Sequence, residues 1–156
     1  MGRKSGLTVH VTGHGVLPIS ARRADLYRRA VRLAFNDTAK GKRQKGEVNV
    51  VFLTRAEMLR MNRHYLGHGY DTDVISFQHD LHPGMKRHKD IPIGDIFISA
   101  WMAAKQAKEL ALSVRQEAAT LAIHGALHLL GHDDHAPKAK KRMFKVQDRL
   151  VAELGA

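Results

Sequence analysis

Apolar and polar residues alternate along this chain with two different periods, and the change of period divides it into strands and helices. LTVHV at 7–11 follows the two-residue period of a half-buried strand. Over 21–35, Leu26, Ala30, Leu33 and Ala34 return at helical spacing, with Ser20 placed to cap the first turn. GKRQKG at 41–46 reads as a loop, and EVNVVFL at 47–53 as a β-branched strand. Thr54 and Glu57 have the spacing of a capping box, opening a helix that carries Met58, Leu59 and Met61. DVISF at 73–77 is a third strand. The stretch 78–92, QHDLHPGMKRHKDIP, is polar, His-rich and punctuated by Pro83, Gly84 and Pro92. It predicts a mobile excursion, able to face a substrate, ahead of a fourth strand, GDIFIS. Beyond Ala100 the pattern is helical: 102–111, a break near Ser113, 114–130, and after Pro137 a last helix to about Leu154. Four strands ahead of most of the helices predict one α+β domain over 1–156, with a mixed four-stranded sheet and about five helices.

Composition narrows the function classes. A chain of 156 residues buries a core without disulfides and leaves no room for a second catalytic domain. It has no cysteine and no apolar run long enough to span a bilayer, and MGRKSGLTVHV lacks the apolar block of a secretory signal. The expectation is a cytoplasmic protein without a membrane partner. A formal net charge of +11 points to a polyanion, because Lys and Arg gain affinity by releasing counterions from phosphates. The charge is concentrated in two runs. One extends from Arg3 and Lys4 through Arg22, Arg23, Arg28, Arg29 and Arg32 to Lys45, against only Asp25 and Asp37; the other is KAKKRMFK at 138–145. Few aromatics interleave them, so a stacking platform for single strands is weakly supported.

The second run follows the chemically densest stretch, HGALHLLGHDDH at 124–135. His124 and His128, four apart on a helix, stack on one face and can hold one ion. Gly131, three residues on, permits the left-handed turn that ends a helix and sends the chain back toward it. A third ligand just past that turn completes the helix-plus-turn arrangement of zincin sites, in which three protein ligands leave an open position. The metal site therefore falls on the penultimate helix and the turn after it. Zinc peptidases of this pattern carry a glutamate base directly after the first histidine; Gly125 stands there, which disfavours peptide hydrolysis.

Three blocks, HGALHLLG, MNRHYLGHGYDTDVISF at 61–77 and IGDIFIS at 93–99, resemble in order the motifs of the YbeY endoribonucleases. The resemblance implies a small α+β fold and metal-dependent cleavage of single-stranded RNA. It also implies a role in maturing the 3′ end of small-subunit ribosomal RNA and in ribosome quality control. The expected partners are single-stranded or ribosomal RNA and the small ribosomal subunit; the expected cofactor is one Zn²⁺. Three positions depart from the family pattern. The third family histidine falls on Asp134, with His135 one residue later, so the ligand set is His124, His128 and Asp134, or His135 in its place. His132 takes the place of a family tyrosine. The family's arginine four residues after Asn62 is Leu66, so a positive group at the scissile phosphate must come from elsewhere.

These readings define the candidates. His124 and His128 place the metal at the phosphate, and His132 or His135 supplies a proton to the leaving oxygen. His68, Lys138, Lys140, Lys141 and Arg142 are candidate RNA contacts. Attack by water and attack by the ribose 2′-hydroxyl both fit. The rival class is a non-enzymatic rRNA-binding factor with a structural zinc, which Leu66 favours; a hydrolase of other substrates is third. Asp73, Ser76 and Asp95 read as turn and strand residues, and Met58, Met61, Met102 and Met143 as core fillers.

Overall fold

The computed structural model describes residues 6–156, so Arg3 and Lys4 of the first basic run lie outside the described residues. Strand β1 (Leu7–Thr12) runs parallel to β2 (Gly46–Leu53), and β2 runs parallel to β4 (Pro92–Ser99). The strand β3 (Val74–Gln78) pairs antiparallel with β4 at the far edge, giving the order β1-β2-β4-β3. The expected mixed four-stranded sheet is therefore present. Its inner face carries Val9, Val48, Val50, Ile96 and Ile98, all buried in the main core. On the outer face Leu53 and Ile75 form a second cluster with Met58, flanked by Phe77 and Phe97.

The helices follow from local chemistry. In α1 (Ala24–Phe35), Leu26, Tyr27, Ala30, Val31, Ala34 and Phe35 are buried. This helix begins at Ala24, three residues later than the sequence pattern predicts, and Ser20 does not cap it. Ser20 sits in a 3-10 turn (Ile19–Ala21), and the Ala21 carbonyl accepts from the Arg23 amide and from the Tyr27 hydroxyl. Those two donors commit the oxygen that a helix starting there would use. The loop expected at 41–46 overlaps a single turn, α2 (Ala39–Lys42), where Thr38 Oγ1 accepts from the Gly41 amide. With this turn the helices number six instead of about five.

Thr54 and Glu57 form the expected capping box at the start of α3 (Arg55–Leu66), on the outer face of the sheet. Ser99 Oγ accepts from the Met102 amide and starts α4 (Ala100–Glu109) directly at the end of β4. The break near Ser113 is a second capping box, Ser113 with Gln116, opening α5 (Val114–Leu129). Buried on most of its circumference, α5 packs against the inner face of the sheet, α1 and α6 (Pro137–Leu154). At Gly125 it meets the sheet so closely that a Cβ would collide with Ile96 and press Ser76 Oγ. The same approach lets Ser76 Oγ donate to the Gly125 carbonyl at 3.0 Å. Among the described residues no helix is long and apolar enough to cross a membrane.

Candidate metal centre

The last two turns of α5 present His124 and His128 on one face, with ring centroids 4.7 Å apart. The chain then reverses at Gly131, whose φ of 94° is accessible to glycine with little strain. The Gly131 amide donates to the His128 carbonyl and the His132 amide to the Leu127 carbonyl, the two bonds of a Schellman turn. This reversal returns Asp134 to the histidines. Asp134 Oδ2 lies 3.7 Å from His124 Nε2 and 3.4 Å from His128 Nε2, and the two Nε2 atoms are 3.1 Å apart.

Each imidazole is fixed from behind. His128 Nδ1 lies 3.1 Å from the His132 carbonyl oxygen, which can only accept, so Nδ1 carries the proton and Nε2 the lone pair. His124 Nδ1 lies 2.7 Å from Gln147 Oε1 and, donating to it, also turns its Nε2 lone pair inward. Burial, with His124 alongside, holds the His128 pKa below its ordinary value, so this ring is neutral at neutral pH. Two lone pairs and a carboxylate oxygen thus face one another, a repulsive arrangement that a cation relieves. Donors about 2.0–2.1 Å from a tetrahedral ion stand roughly 3.3 Å apart, close to the three separations observed. The residues present fit a divalent metal. Among the described residues no fourth His, Cys, Asp or Glu joins this group, and side-chain exposures of 14, 29 and 30 % for His124, His128 and Asp134 leave it open to solvent.

The remaining candidates spread around this point. His135 is exposed and belongs to a second group with Asp133 and Asp134; its amide donates to Asp133 Oδ1 at 2.8 Å. His132 contributes its carbonyl to the site, while its side chain lines a neighbouring cavity with Asp133 and Arg142. Lys138, Lys140, Lys141 and Arg142 are exposed on the first turns of α6, just after the turn that carries Asp134. His68 stacks on Tyr70 at 4.9 Å, and Leu66, the last residue of α3, is exposed; neither lines the cavity that His124 shares. Asp73, Ser76 and Asp95 all have hydrogen-bond partners. Gln147, Phe144 and Glu117 are the functional candidates that sequence reasoning missed. For Gln147 a signal existed: it is a polar residue in the apolar stripe Met143, Leu150, Leu154 of α6.

The sequence profile of the family described as Endoribonuclease YbeY matches residues 18–155. This chain belongs to the YbeY family. A YbeY relative from Elusimicrobium minutum is 35% identical over 138 residues, covering 88% of this chain and 93% of the relative. One from Brevibacillus brevis is 31% identical over 159 residues, covering 96% and 98%. One from Lysinibacillus sphaericus is 40% identical over 114 residues, covering 70% and 73%. All three are named Endoribonuclease YbeY. The fold is similar to the solution structure of TM1509 from Thermotoga maritima, with a TM-score of 0.62 at 21% identity over 94% of this chain and 89% of that one. At the position after His124, Gly125 is a packing contact with β4 that leaves no room for a glutamate side chain.

Proposed function

We propose that this chain is a zinc-dependent endoribonuclease that cuts single-stranded RNA in the cytoplasm, acting on ribosomal RNA at the small subunit during 3′-end maturation and quality control. The observation that carries the reading is the convergence of His124 Nε2, His128 Nε2 and Asp134 Oδ2, with the other nitrogen of each ring engaged elsewhere. The names of the relatives supply the reaction class. A zinc ion bound there supplies Lewis acidity at a phosphate and makes water a stronger acid.

The chain's own residues do the rest. Gln147 and the His132 carbonyl hold the two imidazoles in the tautomer that ligates, so no reorganisation accompanies binding. Lys138, Lys140, Lys141 and Arg142, exposed beside the ligand turn, attract the RNA backbone and offset its charge. His135, exposed next to Asp134, or His132 gives a proton to the leaving oxygen. The exposed Leu66 favours a second reading, a metal-stapled rRNA-binding factor without activity, since no arginine stands there to steady a phosphate.

One comparison decides between them. Protein loaded with zinc is incubated with single-stranded RNA beside a His124→Ala variant whose metal content is measured. Cleavage by the first and loss of both metal and cleavage in the second are expected. Unchanged cleavage after verified metal loss overturns the mechanism, and RNA binding without cleavage by the loaded protein establishes the second reading.

A further inference from the structure

The metal-ligand group occupies one end of α5, and a cavity of about 560 Å³ adjoins it, sharing His124 as a wall. Asp73, Leu110, Glu117, Leu121 and Phe144 are among its other lining residues. Phe144 is 37% exposed, with its ring centroid 5.8 Å from that of His124. Glu117 lies two helical turns before His124, and its burial is unusual because it is only 4% exposed yet its carboxylate has no hydrogen-bond or ion-pair partner among the described residues. The contrast with its neighbour is plain: one Asp73 oxygen accepts from the Val74 amide at 2.8 Å and the other from Gln106 Nε2 at 3.2 Å. The Glu117 oxygens, without a protein partner among the described residues, open only onto the cavity, and burial together with the Asp73 charge pushes the Glu117 pKa up.

A buried, unpartnered acceptor lining a cavity is suited to a ligand with donors. A cation is the poorer match. Among the described residues neither Glu117 nor Asp73 belongs to any group of three His, Cys, Asp or Glu whose ligand atoms lie within 4.8 Å of one another. Leu110, Leu121 and Phe144 instead give the cavity apolar walls, which suit a flat ring with N–H groups on one edge. Unstacked bases of single-stranded RNA have that form: apolar faces that stack on aromatics and an edge that hydrogen-bonds. Guanine alone offers adjacent N1–H and N2–H donors on that edge, matched to the two oxygens of a carboxylate. Uracil has one ring N–H there, and adenine and cytosine one amino group beside an acceptor that a carboxylate would repel.

Resting on the endoribonuclease reading, we propose that this cavity seats a guanine next to the scissile phosphate, with Glu117 accepting from N1–H and N2–H and Phe144 against the ring. The site would make this enzyme cut beside guanosine in unpaired RNA.

The test is calorimetric titration of the full chain and its Glu117→Gln variant with guanosine, adenosine, cytidine and uridine 5′-monophosphates, and with inosine 5′-monophosphate, which lacks the 2-amino group. The phosphate is common to all five, so differences report the base. The guanosine nucleotide should bind about tenfold more tightly than the other three standard ones, with the inosine nucleotide between, and Glu117→Gln should level the series while keeping its metal. If the variant does not fold, the guanosine–inosine difference in the unmodified protein decides alone. Equal binding of all five nucleotides, or a preference that survives in folded Glu117→Gln, overturns the proposal. Short single-stranded RNAs with and without guanosine, cut in parallel, separate the two readings. Cleavage without guanosine preference removes the base site and leaves the nuclease, whereas guanosine-selective binding without cleavage keeps the base site and removes the nuclease.

Discussion

The two ends of α5 treat their polar side chains in opposite ways. At the C-terminal end, His124 and His128 are held from behind by Gln147 and the His132 carbonyl, and their free nitrogens face Asp134. Near the N-terminal end, Glu117 is more deeply buried, yet nothing among the described residues answers its charge. One end is preorganised by partners already present, and the other holds an acceptor whose partner must arrive from outside. Preorganisation gives affinity for a small ion because little is reordered when it binds; an unanswered buried charge gives selectivity because only a ligand with matching donors relieves it. A single helix thus carries a group of converging donors at one end and an unanswered acceptor near the other.

The contrast is broken most severely by removing the support behind the histidines. Gln147→Leu keeps the volume and the apolar stripe of α6 but leaves His124 Nδ1 without its acceptor, so the ring is free to turn or change tautomer. Metal affinity should fall about 10- to 100-fold with the fold retained. Competition against a chelator of known affinity measures this, and unchanged affinity would show that the ring is held by packing alone. The next largest effect belongs to the turn. At φ 94° a Cβ is strained, so Gly131→Ala should destabilise the protein by about 1 kcal/mol or more and also weaken metal binding, since Asp134 depends on that reversal. Chemical denaturation with and without zinc resolves the two effects. A loss of stability with undiminished metal affinity would mean that Asp134 reaches the histidines by another path.

How far this could be read in advance differs along the same helix. His124, His128, Gly131 and Asp134 are close in sequence, so the arithmetic of one helix and one glycine turn is enough to bring them together. Gln147 and Glu117 escape that arithmetic. Gln147 reaches His124 only because α6 packs against α5, and Glu117 reads as an ordinary polar residue in the first turn of a capped helix. The sheet shows the same division. All four strands are legible from local alternation, but their order is not, because placing β4 between β2 and β3 depends on nonlocal pairing. The late start of α1 is local by contrast, set by the Arg23 amide and the Tyr27 hydroxyl, which take the Ala21 carbonyl, a competition that apolar spacing does not record.

The smallest expected effect sharpens the comparison through pH. The Glu117 carboxyl has its pKa raised by burial and by Asp73, so the folded state binds its proton more tightly than the unfolded chain does. Its penalty on stability is absent below the unfolded value, about 4.3, and grows as pH rises through the folded pKa. Glu117→Gln should therefore melt at a higher temperature than the unmodified protein at neutral pH, and the gap should close as pH falls toward 4. Asp37 is the control, because it has its partner: Arg149 hydrogen-bonds both of its oxygens, at 2.8 and 2.9 Å, and holds its pKa below the ordinary value. Its contribution is fully present above the unfolded value, about 3.9, and is lost as pH falls through the folded pKa. Asp37→Asn should accordingly melt lower at neutral pH, with a deficit that shrinks in acid. Melting curves of both variants across that range should give differences of opposite sign. If Glu117→Gln melted lower instead, the Glu117 carboxylate would have a partner within the folded chain, and the asymmetry between the two ends of α5 would disappear.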